Sequence, residues 1–457
     1  NRFYFTNLKK YQIHYSVLSN NKTIKSGKVS LDIAPQASKE FTVPVNGLKS
    51  QPGTEYFVNF SVTTVEPEPL IPAGYEIAYD QFQLPIQAEK RIYKANGPAL
   101  TTATSGDELT VSSSKVNFVF NKKSGLVTSY KVDGTEYFKD GFGIQPNFWR
   151  APNDNDYGNG APKRLQVWKQ SSKNFHVTDV KMTTENKVVS LKATYLLAAG
   201  NLYVVTYRIY PSGIVNVSAQ FTSTDMQAAE TEVSEATRMA TFTPGSDAAR
   251  KAASKLEVPR IGVRFRLPAQ MNNVQYFGRG PEENYIDRNH GTLVGVYKTT
   301  ADKMYFNYVR PQENGHHTDT RWIALSPDKG NGLAIVADSL IGFNALRNSI
   351  EDFDSEEALP HPYQWNNFSP EEVANHDEKA ARNVLRRMHH VNDITPRDFV
   401  EVCVDMKQQG VGGYDSWGAR PEPFHQIPAN RDYSWGFTLV PVRSASQANE
   451  VAKYDYQ

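Results

Sequence analysis

Short stretches in which apolar and polar residues alternate, separated by turn signals, run through almost the whole 457-residue chain. Residues 11–18, for example, alternate in this way and end at the Ser-Asn-Asn-Lys turn of residues 19–22. A period of two residues bounded by turn residues is the pattern of half-buried β-strands. Only residues 247–253 and 370–387 show a fair helical pattern. The sequence therefore predicts an all-β fold rich in antiparallel hairpins.

Turn signals and local composition divide this β-rich chain into two parts. Residues 1–88 carry short strands at close spacing, which predicts an immunoglobulin- or fibronectin-like β-sandwich. Residues 89–107 contain Asn-Gly-Pro and a run of Thr, Ser and Gly, which is the composition of a linker. Residues 108–442 form hairpins without a fixed repeat, which predicts one large antiparallel β super-sandwich. Residues 443–457 are then a C-terminal tail.

The overall composition argues against several classes of partner. Lys and Arg number 50 against 49 Asp and Glu, so the net charge of +1 gives no basic excess for binding nucleic acid. No apolar run approaches the ~18 residues of a membrane span, so no membrane partner is expected. The single cysteine, Cys403, excludes an internal disulfide and fits the cytoplasm and the periplasm equally. Because the chain lacks an initiator Met and opens on an apparent strand at residues 2–5, we expect it to be a piece of a longer protein.

The densest polar loop spans residues 147–160. Its two Asp and two Asn residues could ligate a hard cation through oxygen atoms. The EF-hand spacing fails, because counting Asp154 as position one places Leu165, and not Glu, at position twelve. An Asx-rich turn that satisfies its own backbone is therefore favoured over a metal site. Trp149 and Arg150 suggest that the loop binds a partner at the surface.

Residues 410–417 follow an apolar strand and spell Gly-Val-Gly-Gly-Tyr-Asp-Ser-Trp. Three glycines in four residues allow positive φ and a close approach to a neighbouring backbone. Asp415 and Ser416 favour local bonds from side chain to backbone. The ring of Trp417 could stack on the apolar C–H face of a sugar, or it could fill the core beneath its own turn. The residues alone leave both interpretations open.

Two further loops gather acids and histidines without completing a catalytic motif. Glu282 and Glu283 are adjacent, so in a strand they face opposite ways and cannot form a catalytic pair by themselves. His316 and His317 are also adjacent and would face opposite ways in a strand, so they do not form a zinc site by themselves. An epimerase would need a histidine and a carboxylate that converge as acid and base. Glu313, together with the two histidines, is the only group in the sequence that we nominate for that role.

Four of these loops resemble the C-terminal part of the bacterial β-galactosidases of glycoside hydrolase family two: residues 148–158, 278–288, 311–315 and 410–417. Residues 1–36 are similar to the immunoglobulin-like domain that follows the barrel of that family. The remainder, from about residue 108, resembles the family's last domain, a super-sandwich related in fold to galactose mutarotase.

The resemblance implies that the chemistry lies outside this chain. Such enzymes cleave terminal β-D-galactosides with retention, using two barrel glutamates that a retaining mechanism places about 5 Å apart. The barrel would precede residue 1 and would hold the magnesium and sodium ions of the intact enzyme. No catalytic residue and no cofactor is therefore expected here. The expected partners are the β-galactoside, the missing N-terminal domains of the same chain and, in the intact enzyme, further copies in a homo-oligomer.

The resemblance also implies two elements of a substrate site. Trp417 matches the family's Asp-Ser-Trp, whose ring forms a platform for the substrate, and Asp415 belongs to the same motif. A mobile loop that borders the site is matched by Asn153, Asp154, Asn155, Asp156 and Gly158. In that comparison Gly158 is the hinge of the loop, and Asp154 to Asp156 hold its base.

Functions from other classes remain open beside this one. The chain could be an autonomous carbohydrate-binding protein or a mutarotase-like epimerase built on the same sandwich. A purely structural assembly module is a third possibility.

Overall fold

The computed structural model describes residues 1–223, 257–354, 390–415 and 418–456. Strands dominate this part of the chain and its helices are short, which confirms the predicted all-β class. The two predicted helices, at residues 247–253 and 370–387, lie outside the described residues.

The strands of the described ranges, in chain order, are β1 (Tyr11–Ser19), β2 (Lys22–Ser30), β3 (Tyr56–Thr64), β4 (Glu76–Gln83), β5 (Arg91–Ile92), β6 (Thr101–Ser105), β7 (Glu108–Ser112), β8 (Val116–Asn121), β9 (Leu126–Val132), β10 (Thr135–Glu136), β11 (Gln145–Asn147), β12 (His176–Glu185), β13 (Val188–Leu196), β14 (Leu202–Ile209), β15 (Val215–Thr222), β16 (Arg260–Pro268), β17 (Asn273–Gly280), β18 (Leu293–Thr300), β19 (His317–Ser326), β20 (Gly332–Leu346), β21 (Phe399–Gln408), β22 (Tyr433–Val442) and β23 (Tyr454–Asp455). The α-helices of the same ranges are α1 (Asp154–Gly158), α2 (Ala161–Arg164), α3 (Gln166–Lys173), α4 (Ala301–Met304), α5 (Ile350–Phe353) and α6 (Ala448–Val451).

The first of two compact units comprises Asn1–Tyr93, Leu293–Val296 and Asn449–Asp455. Its main sheet contains four antiparallel strands in the order β2-β1-β3-β4. Val17 of β1 lies opposite Val58 of β3, and both side chains are buried. Within the same unit, β23 pairs in parallel with β5.

The immunoglobulin-like detail of the prediction is not confirmed for this unit. Its strands β1 to β4 form one sheet, and residues 31–55, between β2 and β3, contain no strand. The sequence predicts a strand over residues 40–43, but Pro44 follows at once and cannot donate a hydrogen bond to a ladder. Leu31 and Ile33 of the same segment bury their side chains without joining the sheet.

The second unit comprises Lys94–Thr292, Tyr297–Ala448 and Tyr456–Gln457. It contains a five-stranded sheet in the order β10-β9-β8-β7-β6. A larger sheet of twelve strands has a main path of β11-β16-β21-β20-β22-β15-β14-β13-β12, and β19 links β17 to β20. All neighbouring strands on the main path are antiparallel. Short hairpin connections, which only antiparallel neighbours allow, join β12 to β13, β13 to β14 and β14 to β15.

An aromatic layer joins the two sheets of the second unit. Phe118 and Phe120 are two residues apart on β8, so both rings point to the same face of the strand. Both rings are fully buried. Their centroids lie 5.7 and 6.1 Å from that of Tyr207 on β14. This layer makes the unit a sandwich with a continuous core.

The predicted linker and tail both contain regular structure. β5 and β6 lie within residues 89–107, and β6 pairs with β7. Residues 443–457 include α6 and β23. The three boundaries that the sequence places between these four segments stay predictions. Across the described ranges, none of the helices is long and apolar enough to cross a membrane.

A cluster of rings fixes the chain where it leaves β11. Phe148 is fully buried, with its centroid 6.1 Å from Trp168 of α3, 5.1 Å from Tyr203 and 6.0 Å from Phe221. Because Phe148 is fixed in the core, the next residues, Trp149 and Arg150, are held in defined positions. Phe148 is thus a structural anchor for the segment that leads into α1.

We expect Phe148→Ala to lower the free energy of unfolding by about 3–5 kcal/mol, because it removes a buried ring and leaves a cavity. Urea denaturation followed by fluorescence measures the change. Phe424→Ala is the matched control, since that ring is 72% exposed; its effect should stay within about 0.5 kcal/mol. Equal effects of the two substitutions would contradict the packing described here.

Candidate functional site

The segment predicted to be a mobile loop contains a short helix, α1, with a capping box at its start. The Asn153 side chain accepts the Asp156 N–H at 2.8 Å, and the Asp156 carboxylate accepts the Asn153 N–H at 3.1 Å. This reciprocal arrangement satisfies backbone donors that a helix start otherwise leaves unpaired. Residues 154–158 are therefore helical, whereas the sequence predicted an Asx-rich turn for this segment.

A buried ion pair holds α1 in place. Arg150 Nε and Nη2 donate to the two carboxylate oxygens of Asp156 at 3.0 and 2.9 Å. The remaining donors reach the carbonyl oxygens of Gln409 and Gly410 at 2.8 and 3.0 Å. Burial lowers the pKa of Arg150, but the Asp156 charge and hydrogen bonds outweigh it, so the net shift is upward and the guanidinium stays charged. The expected surface role of Trp149 and Arg150 is wrong, because both side chains are buried.

The glycine turn after β21 is fixed from a different side. The Asp287 carboxylate accepts the N–H groups of Val411 and Gly412 at 3.0 and 2.8 Å. Gly412 and Gly413 have φ of +66° and +95°, which glycine adopts without strain. A Cβ atom at Gly413 would lie 2.6 Å from the Asn155 side-chain nitrogen, so a side chain at this position would displace the Asn155 amide.

These contacts bring together the two segments in which the sequence places the site. Asn155 donates to the Val411 carbonyl at 3.0 Å. A Cβ atom at Gly418 would clash with the carbonyl group of Gly158, so the two backbones lie close together there. Asp415 is exposed, and its Oδ1 accepts the Ala419 N–H at 3.1 Å.

Of the predicted site residues, Asn153 to Asp156, Gly158 and Asp415 therefore lie on α1 or on the turn that contacts it. Ser416 and Trp417 lie outside the described residues.

Another face of α1 carries a contact that sequence reasoning missed. The Arg310 guanidinium lies 3.9 Å from the Tyr157 ring centroid, and its Nη1 lies 3.6 Å from Asp154 Oδ1. Gln312 accepts the Asp154 N–H at 3.0 Å. No local pattern could have marked Arg310, because its partners come from a distant part of the chain.

The three residues nominated as the acid and base of an epimerase are buried. Glu313 accepts Arg260 Nη2 at 2.8 Å and the Asn344 amide at 3.1 Å. His316 and His317 are 1% and 2% exposed. Burial lowers the pKa of His316 well below its ordinary value and that of His317 to about 4, so both rings are neutral at pH 7. This group does not face solvent as an acid and base would need to.

Arg260, the partner of Glu313, also forms a buried ion pair with Asp405. Arg260 Nε lies 3.2 Å from Asp405 Oδ2, and His316 Nδ1 lies 3.8 Å from that oxygen. Burial raises the pKa of the Asp405 carboxyl to about 7. The positive charge of Arg260 acts to lower this pKa, and the negative charge of Glu313 acts to raise it further.

The paired glutamates are not a catalytic couple in this geometry. Glu283 accepts the Gly315 N–H at 2.7 Å, Arg288 Nη2 at 2.6 Å and the Tyr308 hydroxyl. Glu282, its neighbour, is exposed. In the part of the chain that the structure covers, no group of three or more His, Cys, Asp or Glu side chains is arranged to hold a metal ion.

Comparison with family models gives two matches. The model described as beta galactosidase small chain matches residues 112–439, and beta-galactosidase domain 4 matches residues 1–85. Together they cover most of the sequence.

Curated relatives are longer than this chain. A beta-galactosidase of Priestia megaterium is 32% identical over 97% of this chain and 37% of its own length. One of Streptococcus thermophilus is 24% identical, over 96% and 36% respectively. The chain thus spans a little more than a third of these relatives.

The solved structures that this chain partly resembles are more distant in sequence. A galactose 1-epimerase of Lactobacillus acidophilus has a TM-score of 0.34 and 9% identity, covering 76% of this chain and 98% of that one. A galactose mutarotase-like protein of Lactobacillus casei has a TM-score of 0.33 and 12% identity, covering 73% and 99%.

We expect Asp156→Asn to cost about 3–5 kcal/mol of unfolding free energy, because it leaves the Arg150 charge buried without its counter-ion. Asp154→Asn, two residues earlier, is the matched control, since the Asp154 side chain is 63% exposed. Its effect should stay within about 0.5 kcal/mol. Urea denaturation of both variants measures the difference, and similar values would show that the buried pair contributes little.

Asp405 makes stability depend on pH. Its folded-state pKa of about 7 is above the ordinary value near 3.9, so the folded state holds a proton that the unfolded state has lost. The resulting stabilisation is fully present below about pH 4 and is lost as the pH rises through about 7. We expect Asp405→Asn to lack this loss, so its unfolding free energy should improve relative to the parent protein from about pH 4 to about pH 8. Urea denaturation across that range tests it; parallel profiles would contradict the raised pKa.

Proposed function

This chain belongs to the beta galactosidase small chain family, and we propose that it is the non-catalytic C-terminal part of a larger β-galactosidase. In this proposal the intact enzyme hydrolyses terminal β-D-galactosides with retention, through two glutamates on a barrel outside these residues. The magnesium and sodium ions of the enzyme belong with that barrel. The present chain completes the galactoside site from one side.

The observation that carries the proposal is how the acids around α1 and the glycine turn are engaged. Asp156 is bound by Arg150, Asp287 by two backbone N–H groups, and Glu313 by Arg260. A retaining glycosidase needs one carboxylate free to attack the sugar and a second free to donate a proton. Carboxylates saturated by structural donors suit a scaffold better than a catalytic centre.

In the proposed enzyme, the substrate meets the edge formed by α1 and the glycine turn. Asp415 and Trp417 supply a polar group and an aromatic platform, and residues 153–158 form the adjoining wall. Gly158 is the proposed hinge of that wall. Partners are the N-terminal domains of the same polypeptide and further copies of the enzyme.

The alternative of a mutarotase-like epimerase receives no support from the nominated residues. Glu313, His316 and His317 are each 5% exposed or less, and Glu313 is paired with Arg260. A sugar would have to displace that ion pair to reach them.

We expect this chain alone to leave a chromogenic β-galactoside uncleaved, whereas the same chain extended upstream through the barrel should cleave it. Release of nitrophenol by equal molar amounts of the two proteins measures the difference. Turnover by the short form would refute the proposal and would direct attention to Glu282, Glu283 and Glu313.

A substitution in the extended form probes the platform. Trp417→Ala should lower kcat/KM by about tenfold, as expected for the loss of one aromatic contact of ~1.4 kcal/mol. Phe424→Ala, on the neighbouring segment, is the control for removal of an exposed ring. Equal kcat/KM values for the two variants would contradict the proposed contact between Trp417 and the substrate. Polarimetry on fresh galactose with the short form provides the test of epimerase activity.

A further inference from the structure

Helix α1 presents two different faces to its surroundings. Asn155 and Gly158, three residues apart, contact the glycine turn. Asp154 and Tyr157, also three residues apart, contact Arg310. Residues at this spacing share one side of a helix. The contact with Arg310 therefore lies next to the edge where the galactoside is proposed to bind, and not on it.

The groups on this second face have hydrogen-bonding capacity left over. Arg310 and Asp154 are 38% and 63% exposed at the side chain, and their closest atoms are 3.6 Å apart, beyond a good hydrogen bond. In the described ranges, neither side chain makes any other polar contact. A guanidinium offers five N–H donors in one plane, and a carboxylate offers only acceptors.

The ring of Tyr157 packs against the Arg310 guanidinium. At 3.9 Å from the ring centroid, Arg310 lies within the range of cation–π contacts. A stacked guanidinium loses less freedom when it binds a ligand than a free one does. An ordered fork of donors beside an acceptor matches two neighbouring hydroxyl groups, of which one accepts and the other donates.

We propose that Arg310 and Asp154 form a subsite for the sugar on the leaving-group side of a β-galactoside. All such substrates share the galactosyl ring, so a subsite beside the galactose edge meets the part that differs between them. A saccharide leaving group presents vicinal hydroxyls to this pair, whereas a nitrophenyl group presents none. The subsite thus gives the enzyme a preference for galactosyl-saccharides over aryl galactosides. This inference rests on the proposed function.

The test compares two substrates on the chain extended through the barrel. Arg310→Met keeps an apolar stem of similar length over Tyr157 and removes the donors. We expect the ratio of kcat/KM for galactosyl-β-1,4-glucose to that for nitrophenyl galactoside to fall about tenfold, through KM for the disaccharide. Arg310→Lys keeps a cationic donor and should recover part of the loss. Lys139→Met, which removes a half-buried cation from its pair with Asp398, is the control and should leave the ratio unchanged.

Each other outcome has a distinct meaning. An unchanged ratio in Arg310→Met overturns the subsite and leaves the proposed function standing. An equal loss on both substrates also overturns it, because it assigns Arg310 to holding α1 in place. If the parent protein cleaves neither substrate, the proposed function fails and the subsite fails with it.

Discussion

The buried ion pair between Arg150 and Asp156 is the interaction on which the rest of the site depends. Burying two charges is costly unless every donor and acceptor finds a partner. Here the guanidinium is bound by the carboxylate and by the carbonyls of Gln409 and Gly410, so the cost is offset within one cluster. Because the partners come from segments far apart in sequence, the pair fixes α1 and the glycine turn relative to each other.

The buried acidic residues around α1 and the glycine turn make structural contacts. Asp287 caps a turn, Asp156 caps a helix and binds an arginine, and Glu313 shares Arg260 with Asp405. These contacts agree with the proposed division, in which the reactive carboxylates lie in another domain and this chain shapes the substrate site. The exposed Asp415 and Asp154 are exceptions, and both lie where the proposed ligand would pass.

Local pattern predicted much of this fold, and the residues that it missed have a common cause. Alternation over residues 11–18 located β1, because strand periodicity is a local property. It did not predict α1, whose capping box competes with an Asx turn of the same composition. Nor could it show that Arg150 is buried or that Arg310 contacts Tyr157. Those facts depend on partners that only the folded chain supplies.

The contact between Gly158 and Gly418 sets a one-way limit on the shape of the site. A Cβ atom at either position would come within 3.0 Å of the other backbone or closer, so neither position accepts a side chain unless its neighbour shifts. Any added Cβ acts as a wedge that pushes the helix and the turn apart. Substitution at these two positions can therefore only increase the separation of α1 and the glycine turn, and a closer approach would have to come from changes elsewhere in the chain.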